Sequence, residues 1–225
     1  MMSFHSEVPL AWRLITRLGE AQLLLPPLLA LLTWFVWRLR ARPVAAQWFA
    51  SLSAATLLTT ATKVAFLGWG IGSAALDYTG ISGHAMFAAA VMPMLATAAA
   101  STAPRWQPVA VALAYALAAV VAGSRVITGA HSPVESLLGF AVGSAASGWA
   151  LWRAEAPHTH APKMLLAGSL LWLMLGTAGA PPSQTHGWVT QLSLALSGRT
   201  HPYTRQMLMQ EYRMQQQLQH ELMRR

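Results

Sequence analysis

Long apolar runs separated by short polar or basic clusters recur through most of the chain. Their lengths suit helices that cross a bilayer, for which about 20 residues are needed. Six spans are predicted: Glu20–Trp37, Val44–Trp69, His84–Ala100, Val109–Gly123, Pro133–Trp152 and Met164–Ala178. Pro26-Pro27 predicts a kink in the first. The third to fifth are rich in Ala, Gly and Ser, small residues that let helix backbones approach closely. Residues 1–18 mix Trp12, Leu14 and Ile15 with Arg13 and Arg17, the pattern of a short interfacial helix. Trp188–Leu196 is apolar but too short to cross, so it too is read as interfacial. Residues 203–225, rich in Gln, Met, Arg and Glu with neither Gly nor Pro, predict a solvent-exposed helix. The expected fold is therefore all-α: a polytopic membrane bundle over 19–180, preceded by an interfacial segment over 1–18 and followed by an interfacial stretch and polar helical tail over 181–225.

Composition supports this picture. Of 225 residues 55% are hydrophobic and only 10% charged, with a mean hydropathy of +0.41. Soluble domains carry about 25% charged residues. The net charge of +8 invites a nucleic-acid partner, but the basic residues sit at span ends and in the tail, where membrane topology explains them. There is no cysteine, which excludes disulfides and thiolate metal sites. The first apolar run is too long, and too lacking in a small-residue cleavage site, for a secretory signal peptide.

Six spans divide the loops between two faces. One holds Arg38, Arg40, Arg42, Arg105, Arg153 and Lys163, and the positive-inside rule makes it cytoplasmic. Against this count, Arg13, Arg17 and the five arginines of the tail fall on the other face. That second face, expected to look out into a bacterial periplasm, also collects the residues with chemistry.

The densest cluster is Ser124–Glu135, where Arg125, His131 and Glu135 crowd into a dozen residues. An Arg offers a planar fork of donors suited to phosphate oxygens. A His is a base or nucleophile, and a nearby carboxylate orients its ring. Ser132-Pro133-Val134-Glu135 is equally a capping box, so Glu135 has two readings, helix cap and catalytic partner. Lys63 lies in the last turns of the second span, where a charged group marks function or snorkels to the interface. Ser82-Gly83-His84 opens the third span, and Asp77 and Tyr78 before it are read as loop residues bonding locally. The starts of the third and fifth helices present unpaired N–H groups that favour a phosphate. Two histidines on one face can divide phosphoryl transfer, one attacking phosphorus and the other protonating the leaving oxygen. His158-x-His160 looks metal-like, but it lies on the opposite face with no third ligand nearby.

These residues carry a family resemblance. The chain resembles the type 2 phosphatidic acid phosphatases, whose site is shared with vanadium haloperoxidases. That family shows Lys, six residues, Arg-Pro; then Pro-Ser-Gly-His; then Ser-Arg, five residues, His, three residues, Asp. Here Ser124-Arg125, five residues, His131, three residues and Glu135 match the third motif, with Glu for Asp. Ser82-Gly83-His84 matches the second, with Ile81 where Pro is usual. Lys63 matches the first, but Gly70-Ile71 stands in place of Arg-Pro. The resemblance covers about residues 44–155.

It implies His131 as the nucleophile that forms a phosphohistidine, Glu135 as the group holding its ring, and His84 as general acid and then base. Lys63, Ser82, Gly83 and Arg125 would bind phosphoryl oxygens, and no metal or other cofactor is implied. The motif's Arg has no counterpart, which on the scale of a lost oxyanion donor would cost roughly 10²–10³ in rate. The implied activity is metal-independent hydrolysis of a phosphomonoester or pyrophosphate on a lipid. Undecaprenyl pyrophosphate, phosphatidate, phosphatidylglycerol phosphate and lipid A phosphates all fit. Two alternatives stand beside it: a relative that binds phospholipid head groups or a partner without turnover, and a lipid phosphotransferase. The expected partners are a lipid phosphate and membrane lipids, with no nucleic acid; oligomeric state is not legible.

Overall fold

Nine α-helices carry the described part of the chain: α1 (Leu10–Arg17), α2 (Ala21–Trp37), α3 (Arg42–Trp69), α4 (Gly83–Ala99), α5 (Gln107–Ile127), α6 (Pro133–Arg153), α7 (Lys163–Gly179), α8 (Thr185–Ser197) and α9 (Arg205–Met223). The computed structural model describes residues 8–153, 163–179, 181 and 183–224; Glu155, His158 and His160 lie outside these. By length and composition four helical stretches are able to cross a membrane: Leu10–Trp37, Arg42–Trp69, Pro104–Ile127 and Pro133–Trp152. Gly83–Ala99 and Met164–Thr177 are apolar but shorter. Four of the six expected spans thus have the length to cross, the first only when α1 is counted with α2, while α4 and α7, at the third and sixth, are shorter.

The short α4 is the centre of the bundle, packing most extensively on α6 and α5 and also on α2 and α3. Its Ala85, Met86, Ala88, Ala89, Ala90 and Val91 are fully buried, so α4 faces helices rather than lipid. Close approach is built into the sequence of α6. A Cβ on Gly139 would lie 2.4 Å from the Ser82 carbonyl oxygen, and one on Gly143 would lie 2.2 Å from that of Met86. One turn further, the Ser147 hydroxyl donates to the Ala89 carbonyl at 2.8 Å. Small residues at four-residue intervals therefore let α6 lie along α4 almost backbone to backbone. Outward faces are different: Leu57, Leu113, Leu137, Trp149, Leu170 and Met174 are more than half exposed, an apolar coat suited to hydrocarbon.

Helix ends follow local chemistry. Pro43 and Pro108 sit in the first turns of α3 and α5, where a missing N–H costs nothing. Gly70 ends α3 in the left-handed region at φ 71°, its N–H donating to Phe66 O at 2.8 Å. The α5 helix runs through Ser124 and Arg125 to Ile127, four residues beyond the predicted end, so Arg125 projects from a last helical turn. Thr204 caps α9 by accepting from the Met207 N–H at 3.3 Å. α8 packs on the end of α3, where its buried Ser193 hydroxyl donates to Val64 O at 3.1 Å.

Candidate active site

One end of the bundle gathers the C-terminal ends of α3 and α5, the N-terminal ends of α4 and α6, and the start of α9 around a cavity of about 460 Å³. Lys63, His84, Arg125 and His131 all line it, four residues from four separate segments of the chain. Ser82 and Glu135 lie behind this wall, both fully buried. Gly83 lines an adjoining cavity of about 280 Å³ that shares Lys63 and His84 with the first.

The His131–Glu135 pair is fixed from several directions. His131 Nδ1 and Glu135 Oε2 are 2.7 Å apart. The capping box forms reciprocally: the Glu135 N–H donates to Ser132 Oγ at 3.2 Å, and the Ser132 N–H donates to Glu135 Oε2 at 3.1 Å. Cap and histidine partner are therefore one carboxylate, and the two readings of Glu135 merge. Its other oxygen accepts from both the N–H and the hydroxyl of Thr79, each at 2.6 Å. The Ser82 N–H donates to the Glu135 carbonyl at 3.1 Å, which ties the start of α4 to the start of α6. Behind the histidine, the Ala130 and His131 N–H groups donate to Arg125 O at 3.0 and 3.1 Å, closing a tight turn at Gly129 (φ 68°).

Cations and donors face this pair. Arg125 Nη1 donates to Thr16 Oγ1 at 2.7 Å, so α1 steadies the guanidinium from the far side. Its Nε and the Ser82 hydroxyl are both buried with no partner among the described residues. Lys63 Nζ comes within 3.7 Å of where a Cβ on Gly83 would stand, so the glycine leaves room beside the ammonium. Burial pushes the His131 imidazole below its ordinary range; the Glu135 hydrogen bond opposes this, while Lys63 and Arg125 add to it. Burial thus favours the neutral ring, whose Nδ1 faces Glu135.

Three contributors escape a reading of the sequence. Thr79 holds Glu135 from the loop after α3. His186 on α8 lines both cavities. Arg205, the first residue of α9, donates from Nη2 to both Glu135 oxygens at 2.8 Å and from Nη1 to Asp77 Oδ2 at 2.9 Å. No motif spacing announces these, because they come to the site from segments that read as loop and polar tail. The sequence signal that could have found Arg205 is indirect: a motif one Arg short, and a tail containing an apolar stretch too short to span.

A family model described as the PAP2 superfamily matches residues 35–158, more than half of the chain. A Klebsiella pneumoniae protein described as an uncharacterized 22.5 kDa protein in the cps region is 39% identical over 137 residues. The match takes in 60% of this chain and 66% of that relative, so the chain spans just under two thirds of its length. No solved structure matches.

Proposed function

The chain belongs to the PAP2 superfamily, whose members are phosphatases, and from that membership and the site geometry we propose an integral membrane lipid phosphatase. In this reading it hydrolyses a phosphomonoester or pyrophosphate carried on a lipid. The observation that carries it is His131, braced through Nδ1 on a buried carboxylate, at the wall of a cavity that also holds Lys63, Arg125 and His84. A substrate phosphate would be bound by the Lys63 ammonium, the Arg125 guanidinium, the Ser82 hydroxyl and the Gly83 N–H at the start of α4. His131 Nε2 attacks phosphorus, the bond to the lipid oxygen breaks, and His84 gives that oxygen its proton. His84 then takes a proton from water, whose oxygen attacks the phosphohistidine and frees both phosphate and His131. Glu135 balances the positive charge on the ring in between. No step calls on a metal, since Lys63 and Arg125 supply the charge that draws the phosphoryl group in.

The shape of the site supports an amphiphilic substrate. The second cavity opens from the same Lys63 and His84 and is walled by Leu25, Met86, Phe87, Trp188 and Val189. A phosphate in the first cavity leaves an apolar slot beside it for the start of a hydrocarbon chain. We also place the site on the periplasmic side of a bacterial inner membrane, because Arg38, Arg40, Arg42 and Arg105 gather at the opposite end of the bundle.

The test is phosphate release by purified protein from a panel holding phosphatidate, phosphatidylglycerol phosphate and undecaprenyl pyrophosphate. At least one should be turned over, and His131→Ala and His84→Ala should each abolish it. Wild type releasing no more than His131→Ala would end the enzyme reading and leave head-group binding without turnover. Transfer of label to an added alcohol in preference to water would make it a phosphotransferase.

A further inference from the structure

Arg205 reaches Glu135 from 70 residues away in sequence and Asp77 from 128 away, so its place in the site is a tertiary construction. The approach is anchored at three points. The Tyr203 N–H donates to Leu67 O at 2.8 Å, and the Tyr203 ring packs edge-on against Phe66 with centroids 5.5 Å apart. The same ring lies over Gly70, where any Cβ would come within 3.2 Å of it at a φ of 71° that disfavours a side chain. Thr204 then starts α9, and the guanidinium of Arg205 is aimed at the loop and at Glu135. It is about one third exposed while the carboxylate it bonds is fully buried.

The charge pattern gives this contact a consequence. His131 is faced by Lys63 from α3, His84 from α4, Arg125 from α5, Glu135 from α6, His186 from α8 and Arg205 from α9. While His131 is neutral, Arg205 is the full positive charge hydrogen-bonded to Glu135. Resting on the phosphatase reading above, we propose that Arg205 is a positioning residue for the reaction. It clamps Glu135 against Asp77 and Thr79, fixes the plane of the carboxylate that orients His131, and tempers how strongly that carboxylate draws a proton onto the ring. Without Arg205 the same carboxylate would draw a proton onto the ring more strongly, and an imidazolium has no lone pair on Nε2 to offer phosphorus.

The experiment follows the protonation midpoint of His131 by NMR in detergent micelles, with the signal assigned against His131→Ala, in wild type, Arg205→Ala and Arg205→Lys. Phosphate release from dioctanoyl phosphatidate is measured over the same pH range. In Arg205→Ala the midpoint should rise by about one pH unit and the acid limb of kcat/KM should follow it. The kcat should fall about 100-fold, on the scale of one lost preorganised donor. Arg205→Lys should keep the midpoint near wild type and recover part of the rate. Guanidinium ion at tens of millimolar, against sodium at equal ionic strength, should restore both readouts in Arg205→Ala. That restoration separates loss of charge from water entering beside an undocked tail, which guanidinium would not reverse. An unchanged midpoint in Arg205→Ala, or a raised one that guanidinium leaves raised, overturns the proposal and makes Arg205 only a fastening for α9. If wild type releases no phosphate from any lipid of the panel above but the midpoint still moves, the phosphatase reading falls while the Arg205–Glu135–His131 coupling stands.

Discussion

Replacing Gly139 by Ala adds one methyl group to α6 and should cost both stability and rate. The added Cβ would stand 2.4 Å from the Ser82 carbonyl oxygen and 3.0 Å from the Ala85 Cβ, where ordinary contact begins at 3.4 Å. Neither neighbour is a flexible side chain that can swing away, so α4 and α6 must part by about 1 Å at this level. Overpacking of this kind typically costs about 1–3 kcal/mol. Gly139 lies one turn beyond Glu135, and Ser82 directly precedes Gly83 and His84, so the strain falls between the two proposed catalytic histidines. A misplacement of about 1 Å costs on the order of 10² in rate. The control is Gly148→Ala on the same helix, where nothing lies within 4 Å of the new Cβ. It should leave turnover unchanged and, by helix propensity, leave stability unchanged or slightly raised. The assay pairs thermal unfolding in detergent with phosphate release. If Gly139→Ala matches Gly148→Ala in both, close packing of α4 on α6 does not set the site geometry.

Three further outcomes are expected. Tyr203→Ala removes a side chain only 7% exposed that packs on Phe66, worth about 3 kcal/mol if the site cannot collapse. It should speed trypsin cleavage after Arg199 while the spans stay protected; unchanged cleavage would show that the tail is held elsewhere. Because burial holds His131 below its ordinary value of 6.5, the acid limb of kcat/KM should lie below pH 6.5. The same depression makes the unfolded chain bind the proton first, so the stability due to this group is present above pH 6.5 and lost as pH falls further. An acid limb above pH 7 would contradict the burial argument. A reporter fused after Arg105 should read cytoplasmic, and a periplasmic signal would invert the topology.

Much of the architecture was legible in the sequence because hydropathy and helix punctuation are local. Pro133 with Ser132 and Glu135 marks the start of α6, Gly70 ends α3, and Trp188–Leu196, too short to span, lies within α8 on the flank of α3. Boundaries moved where a glycine sits inside a helix, as in α5, which continues through Gly123, Ser124 and Arg125 to Ile127. The gathering of Lys63, His84, Arg125 and His131 was legible too, since an alternation of up and down helices puts every second loop on one face. Arg205 was hidden by its surroundings. Among Gln, Met and Arg it looks like one more solvated charge, and only the fold shows that Tyr203 fits over a residue lacking a side chain at Gly70 and delivers it. Thr79 was hidden for a related reason: its two bonds to Glu135 span 56 residues of sequence.

The clamp on Glu135 also orders events in the making of the protein. Glu135 and His131 are synthesised early and can be laid into the membrane with α5 and α6, yet the guanidinium that braces Glu135 is made 70 residues later. A nascent chain therefore holds all its apolar helices before its dyad is braced. A ribosome stalled or a transcript cut between α7 and α9 would yield a product that carries every apolar helix and both histidines, with Glu135 held by Thr79 and Ser132 but not by a guanidinium.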